Sequence, residues 1–458
     1  MQCETRQCVV IGAGVAGLAA AVWLAEAGHH VTLLERRGSL GGRTHAIEVP
    51  QVSDVVDNGP HVVVRAYVEL YRYLTSVGTA DCLIDGEPAI RTTGDAGLLG
   101  GGVLANLAVA FGAHPTVPRR DWWRTARAQA RIGWQSLRQP PDLDSITVDD
   151  WLKRVGMPAS ARAASWDLLA IGTLNERTEL ASAKAMADVL ATGVRTSIKK
   201  RIPFKFGYPT VNFDELFVHG AQRVLAERGG EIRTRAVAQH INVDNGAVTG
   251  VTLVDGEVID ADAVVCAVPA WNIGKLLDAV PGHEQIYAAA KRLEPVPIIT
   301  VNLYLDRPIG TAEWCEILLG SLGIADMVFD RQRMDPSRNT EHGYLYSLNT
   351  SAAYELNAMT NREMTDLSMD TLRKYYPQAR DAQVIQSNIV RMNYATFSQR
   401  PGTYGIRPPQ RTPVRGLVLA GDWTQTDWPS TMGGAAQSAE RAVNALLAEN
   451  VQPAVRAL

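Results

Sequence analysis

The chain has 458 residues, of which 46% are hydrophobic and 20% charged, with a formal net charge of -3. That length exceeds one small core and predicts two or three domains, and the apolar content excludes a disordered chain. The near-neutral balance leaves no electrostatic footprint for nucleic acid.

Cys8-Val9-Val10-Ile11 predicts a short buried parallel strand. Gly12-Ala13-Gly14-Val15-Ala16-Gly17 follows at once, Leu18 to Ala27 predicts a helix closed by Gly28, and His30 to Leu34 predicts a second strand ending at Glu35. This is the βαβ setting of a dinucleotide site. Gly12 permits the tight turn, Gly14 lets backbone approach a pyrophosphate, and Gly17 lets helix and strand pack closely. The helix start around Ala16 offers unpaired N–H groups and a positive dipole end to phosphates. Glu35, 21 residues beyond Gly14, is placed to accept hydrogen bonds from ribose hydroxyls. The glycines and Glu26 argue against reading this apolar run as a signal or membrane segment.

Arg36-Arg37-Gly38-Ser39-Leu40-Gly41-Gly42-Arg43 continues without another helix at once, and Asp57-Asn58-Gly59-Pro60-His61 lies further on. Residues 98–113 are apolar and glycine-dotted but too short to span a bilayer. A helix is predicted over about 118–138. On it Arg120, Arg124, Arg127, Arg131 and Arg138 line one face, beside an apolar stripe of Trp123, Ala126, Ala130, Trp134 and Leu137. A basic stripe next to a tryptophan-bearing one suits a bilayer interface, and equally a core-packed helix with a solvated arginine face. Residues 231–237 and 263–269 predict two strands, with 239–243 and 248–254 joined by Asp244-Asn245-Gly246 as a hairpin between them. Cys266, in the second strand, reads as a small buried hydrophobe. The five scattered cysteines (Cys3, Cys8, Cys82, Cys266, Cys315) have no metal-ligand spacing and read as reduced thiols of a cytoplasmic protein without a metal site. Residues 416–422 predict a strand running into Gly421-Asp422, and Ser430-Thr431-Met432-Gly433-Gly434-Ala435 opens a helix reaching about Leu447.

The run Glu35, Arg36, Gly41, Gly42, Arg43 resembles the ERxxxxGGR extension of flavoproteins in the amine oxidase and phytoene desaturase superfamily. The resemblance implies an α/β fold: a Rossmann-like FAD-binding domain of the GR2 type, with a discontinuous α+β substrate domain. It implies FAD as cofactor. Residues 1–90, 215–270 and 390–458 then form the FAD-binding domain, and 91–214 and 271–389 the substrate domain. Gly59, Pro60 and His61 pass the flavin ring, Val237 meets the adenine through its backbone, and Asp422 binds the ribityl or pyrophosphate part. Thr431 and Met432 start a helix aimed at the flavin pyrimidine.

A narrower resemblance covers nearly the whole chain. Residues 57–74, Ser145 to Leu152, Leu174-Asn175, Ala181-Ser182-Ala183, Ala395-Thr396-Phe397, Arg407-Pro408-Pro409 and AGDWTQTDWPSTMGGA at 420–435 are similar to stretches of hydroxysqualene dehydroxylase, the squalene-associated FAD-dependent desaturase relatives. The chain departs from that group where Met392-Asn393 follows Arg391 in place of a glutamate, where Arg65 replaces a glycine, and where Gly433-Gly434 replaces Glu-Gly. The resemblance implies reductive dehydroxylation of hydroxysqualene to squalene, on the squalene and hopanoid route, by hydride transfer from reduced flavin. It implies a hydrophobic isoprenoid substrate and a cytoplasmic enzyme able to sit at the inner face of the membrane. His61 and Tyr67 are the candidate proton donors. No second nucleotide fingerprint occurs, so electrons come from an external reductant or a transient nicotinamide visit. A carotenoid-type desaturase, an amine oxidase and a non-catalytic FAD-binding scaffold or prenyl-lipid carrier stand as alternatives.

Overall fold

The computed structural model describes residues 5–93, 98–99, 117–201, 205–321 and 325–449. Apart from the short strand Leu98–Leu99, the apolar run at 98–113 lies outside the described residues.

The fold is α/β, and its centre is a five-stranded parallel sheet. The strands lie in the order Glu231–Thr234, His30–Glu35, Gln7–Ile11, Ala263–Cys266 and Leu417–Leu419. Side chains that alternate along these strands enter two different cores. Val10, Leu33, Val265 and Val418 pack beneath helices, whereas Val9, Leu34, Val264 and Leu419 pack beneath the hairpin layer. Both faces are therefore covered, which is why the strands read as continuous apolar runs.

The helix Val15–Glu26 is buried from Val15 to Ala25. Its Ala19, Ala20 and Ala21 and the Ala435, Ala436 and Ala439 of the helix Met432–Glu449 share one core. Small side chains allow these two helices to approach closely. The first helix starts three residues earlier than its apolar pattern predicts, because Gly14 in extended conformation already serves as its N-cap.

The expected hairpin forms from Ala238–Asp244 and Ala247–Leu253, with Val258–Asp260 as a third antiparallel strand. Asn245 and Gly246 both take positive φ, 48° and 73°, which suits the twist of a two-residue turn. The strand predicted over 231–237 ends at Thr234, because Arg235 turns the chain with φ 56°. Cys266 is fully buried, and burial pushes its thiol up to about 12, so it acts as packing.

A seven-stranded mixed sheet forms the second body. It runs Val384–Phe397, Pro295–Leu305, Tyr344–Thr350, Met327–Asp330, Cys315–Leu318, Ala89–Arg91, Leu98–Leu99. Helices between 119 and 200 make a separate core around Trp151, Trp166 and Ile132. Among the described residues no helix is long and apolar enough to cross a membrane. Nor, among them, is any group of three or more His, Cys, Asp or Glu placed to hold a metal ion.

Candidate functional site

The glycine turn leaves the central strand at Ile11 and is locked from two sides. Gly12 N–H bonds the Leu34 carbonyl at 2.8 Å, and Gly41 N–H bonds the Ala13 carbonyl at 2.8 Å. A Cβ on Gly17 would lie 1.8 Å from the Gly12 carbonyl oxygen, so only glycine lets the helix start so near its own turn. Gly42 has φ +62°, and a Cβ there would lie 2.9 Å from the Gly14 Cα. Two Cβ-free backbones thus meet beside the first turn of the helix at Val15, Ala16 and Gly17, whose amides have no acceptor in the preceding turn. This cradle of N–H groups and bare backbone fits a pyrophosphate.

Glu35 is anchored by the backbone. Its carboxylate accepts from Ala13 N–H at 3.0 Å and from Arg37 N–H at 2.8 Å. The Ala236 N–H bonds the Glu35 carbonyl at 2.9 Å, which sets Val237, 42% exposed, beside the acid. Arg36 is exposed, and it is Arg37 that reaches the Gly42 carbonyl, at 3.5 Å.

The segment Asp57 to His61 is bolted to both bodies. Asn58 Nδ2 donates to the Arg43 carbonyl at 2.7 Å. Asp57 accepts from the Phe213 amide at 2.8 Å and from Arg331 Nη2 at 2.9 Å. Asn349 Nδ2 donates to the Pro60 carbonyl at 2.8 Å, and Gly59 lies so close to Thr300 Oγ1 that a Cβ would come within 2.8 Å. Asn58 Oδ1 is buried without a protein partner, which leaves hydrogen-bonding capacity for a bound group.

Arg43 joins this segment to the C-terminal end of the chain. It holds Asp422 in a two-pronged pair, at 3.0 and 2.5 Å, and also donates to the Ala395 carbonyl at 3.1 Å. Ser430 donates to the same carboxylate. Burial alone would raise the Asp422 carboxyl, but Arg43, Ser430 and Arg407 outweigh it and hold it below the ordinary carboxylate range. A depressed carboxyl stabilises the fold fully above its unfolded value and loses that contribution as pH falls through the folded one. Melting of wild type and Asp422→Asn should therefore differ by a constant amount above about pH 5, and the gap should shrink below about pH 4. A gap that widens on acidification would contradict the pairing.

Arg407 is buried among the carbonyls of the loop it spans. Its guanidinium donates to Asp422 O at 2.9 Å, Thr426 Oγ1 at 2.6 Å and Trp428 O at 3.3 Å. Burial lowers it to about 10, so it remains charged at neutral pH. Thr431 caps the last helix: its hydroxyl accepts from Gly434 N–H at 3.1 Å, and its carbonyl from Ala435 N–H at 2.9 Å. Met432 opens that helix, half-buried.

Tyr67 lies on the same helix start. A Cβ on Gly433 would fall 2.4 Å from the Tyr67 ring, whose other neighbour is Trp428 in an edge-on contact at 4.9 Å. Burial pushes the phenol up to about 12, opposed by a hydrogen bond to Thr431. The residue is therefore a packing wedge whose O–H keeps its proton at neutral pH. His61 is half-buried against Phe213, with Nδ1 2.6 Å from the Gly59 carbonyl. Burial lowers its pKa, countered by that carbonyl and by Asp57, so the ring is neutral at neutral pH.

The structure thus brings Gly12, Gly14, Ala16, Gly17, Glu35, Gly41 and Gly42 together around the turn, joins Arg43 to Asp422, and sets Tyr67 against Thr431 and the helix that Met432 opens. Arg331 and Asn349 were not singled out in the sequence, and Ser430 was named there only in the run that opens the last helix, without a role. Each acts through a partner remote in the chain or through a carboxylate whose direction no local pattern reveals. Arg407 was noticed only as part of a resemblance, without a role.

The family model for flavin containing amine oxidoreductase matches residues 15–447. A probable zeta-carotene desaturase of Synechococcus elongatus is 25% identical, over 96% of this chain and 98% of its own. The 15-cis-phytoene desaturase of Solanum lycopersicum is 24% identical, over 96% of this chain and 77% of its own. Cyclohexylamine oxidase from Brevibacterium oxydans superposes with TM-score 0.72 at 17% identity, over 98% of this chain and 100% of that one.

Proposed function

The chain belongs to the flavin containing amine oxidoreductase family and is an FAD-dependent oxidoreductase, and from that premise we propose that its substrate is a long apolar isoprenoid. The finer reading is reductive dehydroxylation of hydroxysqualene to squalene. The run 420–435 carries it: it resembles the dehydroxylase ending, and its Asp422, Ser430 and Thr431 stand where Arg43 and Tyr67 converge. The relatives named for desaturation of phytoene and zeta-carotene support the isoprenoid class. In this reading 1–90, 215–270 and 390–458 serve the cofactor, and 91–214 with 271–389 the substrate.

Gly12, Gly14, Ala16 and Gly17 would hold the pyrophosphate, Glu35 and Val237 the adenosine, and Arg43, Asp422, Thr431 and Met432 the flavin half. Bound FAD supplies the redox step, a hydride given to an allylic carbon as its C–O bond breaks. The residues supply the proton and the dry setting. Water leaves far more readily than hydroxide, so the departing oxygen needs an O–H or N–H donor. Tyr67 keeps its proton throughout the physiological range, whereas His61 must gain one against burial. A rate that stays flat between about pH 7 and 9 and collapses in Tyr67→Phe points to Tyr67. A rate that falls as pH rises, abolished in His61→Asn, points to His61.

The direct test is anaerobic. Reduced protein mixed with hydroxysqualene should show flavin reoxidation together with squalene formation. No change in either removes the hydroxysqualene reading and leaves the FAD assignment intact. The second reading, a carotenoid-type desaturase with hydride running from substrate to flavin, is favoured by the two desaturase relatives. Flavin reduction by phytoene, in protein inert toward hydroxysqualene, would select it.

A further inference from the structure

The helix Arg119–Arg138 carries two apolar faces on opposite sides, and only one of them is used by the fold. Thr125, Ala128, Ile132 and Ser136 are buried, at helical spacing, against the helical core. Trp123, Trp134 and Leu137 fall on the far side and are 82%, 57% and 54% exposed. The helix is thus packed on the core as one expectation had it, but through a face other than the tryptophan-bearing stripe. The helix Ala183–Lys200 extends the patch with Val194 and Ile198, 50% and 74% exposed. A hydrogen bond of 3.2 Å from Arg195 to the Leu137 carbonyl ties the two helices together at this point.

The same exposed side is strongly basic. The helix Arg119–Arg138 holds six arginines and one acid, Asp121, in a chain whose net charge is -3. Asp121 faces inward, accepting from Ser160 at 2.9 Å. Arg120, Arg127 and Arg138 flank the tryptophans, and the Arg138 guanidinium lies 5.3 Å from the Trp134 ring.

We propose that this face docks the protein on an anionic phospholipid bilayer, with Trp123, Trp134, Leu137 and Ile198 in the headgroup boundary and the arginines on lipid phosphates. Tryptophan and arginine together suit that boundary, where one end of each side chain is apolar and the other is wet. A second copy of the chain fits poorly, since a two-fold contact would set arginines against arginines with no acid between them. The docking goes beyond the substrate reading and does not depend on it, because vesicles without substrate test it.

FAD-loaded full-length protein is sedimented with vesicles of phosphatidylcholine alone, and with vesicles also containing phosphatidylglycerol. Wild type should partition to the anionic vesicles, with tryptophan emission shifted to the blue and binding weakened by salt. The variant Arg120→Gln/Arg127→Gln/Arg138→Gln should lower that partition on the order of a hundredfold at low salt. The variant Trp123→Ser/Trp134→Ser/Ile198→Ser should lose the blue shift and most of the binding. Both variants alter exposed side chains and should keep FAD and the wild-type melting temperature. Wild type left in the supernatant with anionic vesicles would overturn the proposal, as would both variants binding like wild type. A dimer by light scattering that the tryptophan variant dissolves, without vesicle binding, would assign the face to a second copy instead.

Discussion

Asp57→Asn is expected to destabilise the protein by about 3–5 kcal/mol, the range for removing one partner of a buried ion pair. The Arg331 guanidinium lies 2.9 Å from Asp57, and the two side chains are 8% and 0% exposed. Removing the carboxylate charge leaves an uncompensated cation in a place water does not reach. The second oxygen of Asp57 also holds the Phe213 amide at 2.8 Å, so the segment 57–61, placed beside the flavin in the proposed function, loosens at the same time. Urea denaturation should show the lower midpoint, and the purified variant should retain less FAD. The double variant Asp57→Asn/Arg331→Met should recover much of the loss, because the stranded charge is gone. A single variant within about 1 kcal/mol of wild type would show that the pair is not the clamp described.

Gly17→Ala is the second. The added methyl would sit 1.8 Å from the Gly12 carbonyl oxygen, a backbone atom that cannot swing aside. Either the helix backs away from the turn or the turn opens, and both spoil the cradle of amides at Val15, Ala16 and Gly17. Forced overpacking costs about 1–3 kcal/mol and occasionally more, and taken from binding that is about tenfold to a hundredfold in the Kd for FAD. The flavin content of purified protein, read from its visible absorbance, measures the effect. The same substitution at Gly133, at an exposed position of the helix Arg119–Arg138 with nothing within 4 Å, should instead raise stability by about 0.5–1 kcal/mol. Wild-type flavin content in Gly17→Ala would mean that the turn does not cradle the cofactor as described.

The nucleotide half of the site was legible because its demands are local. A tight turn, a bare backbone and an acid at the end of the next strand must follow one another along the chain, and Gly12, Gly14, Gly17 and Glu35 do. The pair Gly41-Gly42 was equally plain, although its contact with Gly14 joins separate loops. The details that failed were ends of elements. The strand over 231–234 stopped early because one arginine takes a left-handed conformation, which no propensity forecasts.

By itself the sequence determined the α/β class, the glycine cradle with its acid, and the arginine face and tryptophan-bearing stripe of the helix at 119–138, since each is a matter of residue type at fixed spacing. Tertiary structure alone decided that the face carrying Thr125, Ala128, Ile132 and Ser136 went inward, that Arg331 neutralises Asp57 from 274 positions away, that Arg407 braces the loop after Asp422, and that Tyr67 lies on Gly433. Those are pairings between distant parts of the chain. Periodicity states that a face is apolar or a charge is present, but the partner is fixed only when separate elements pack and every buried charge must find its counterpart.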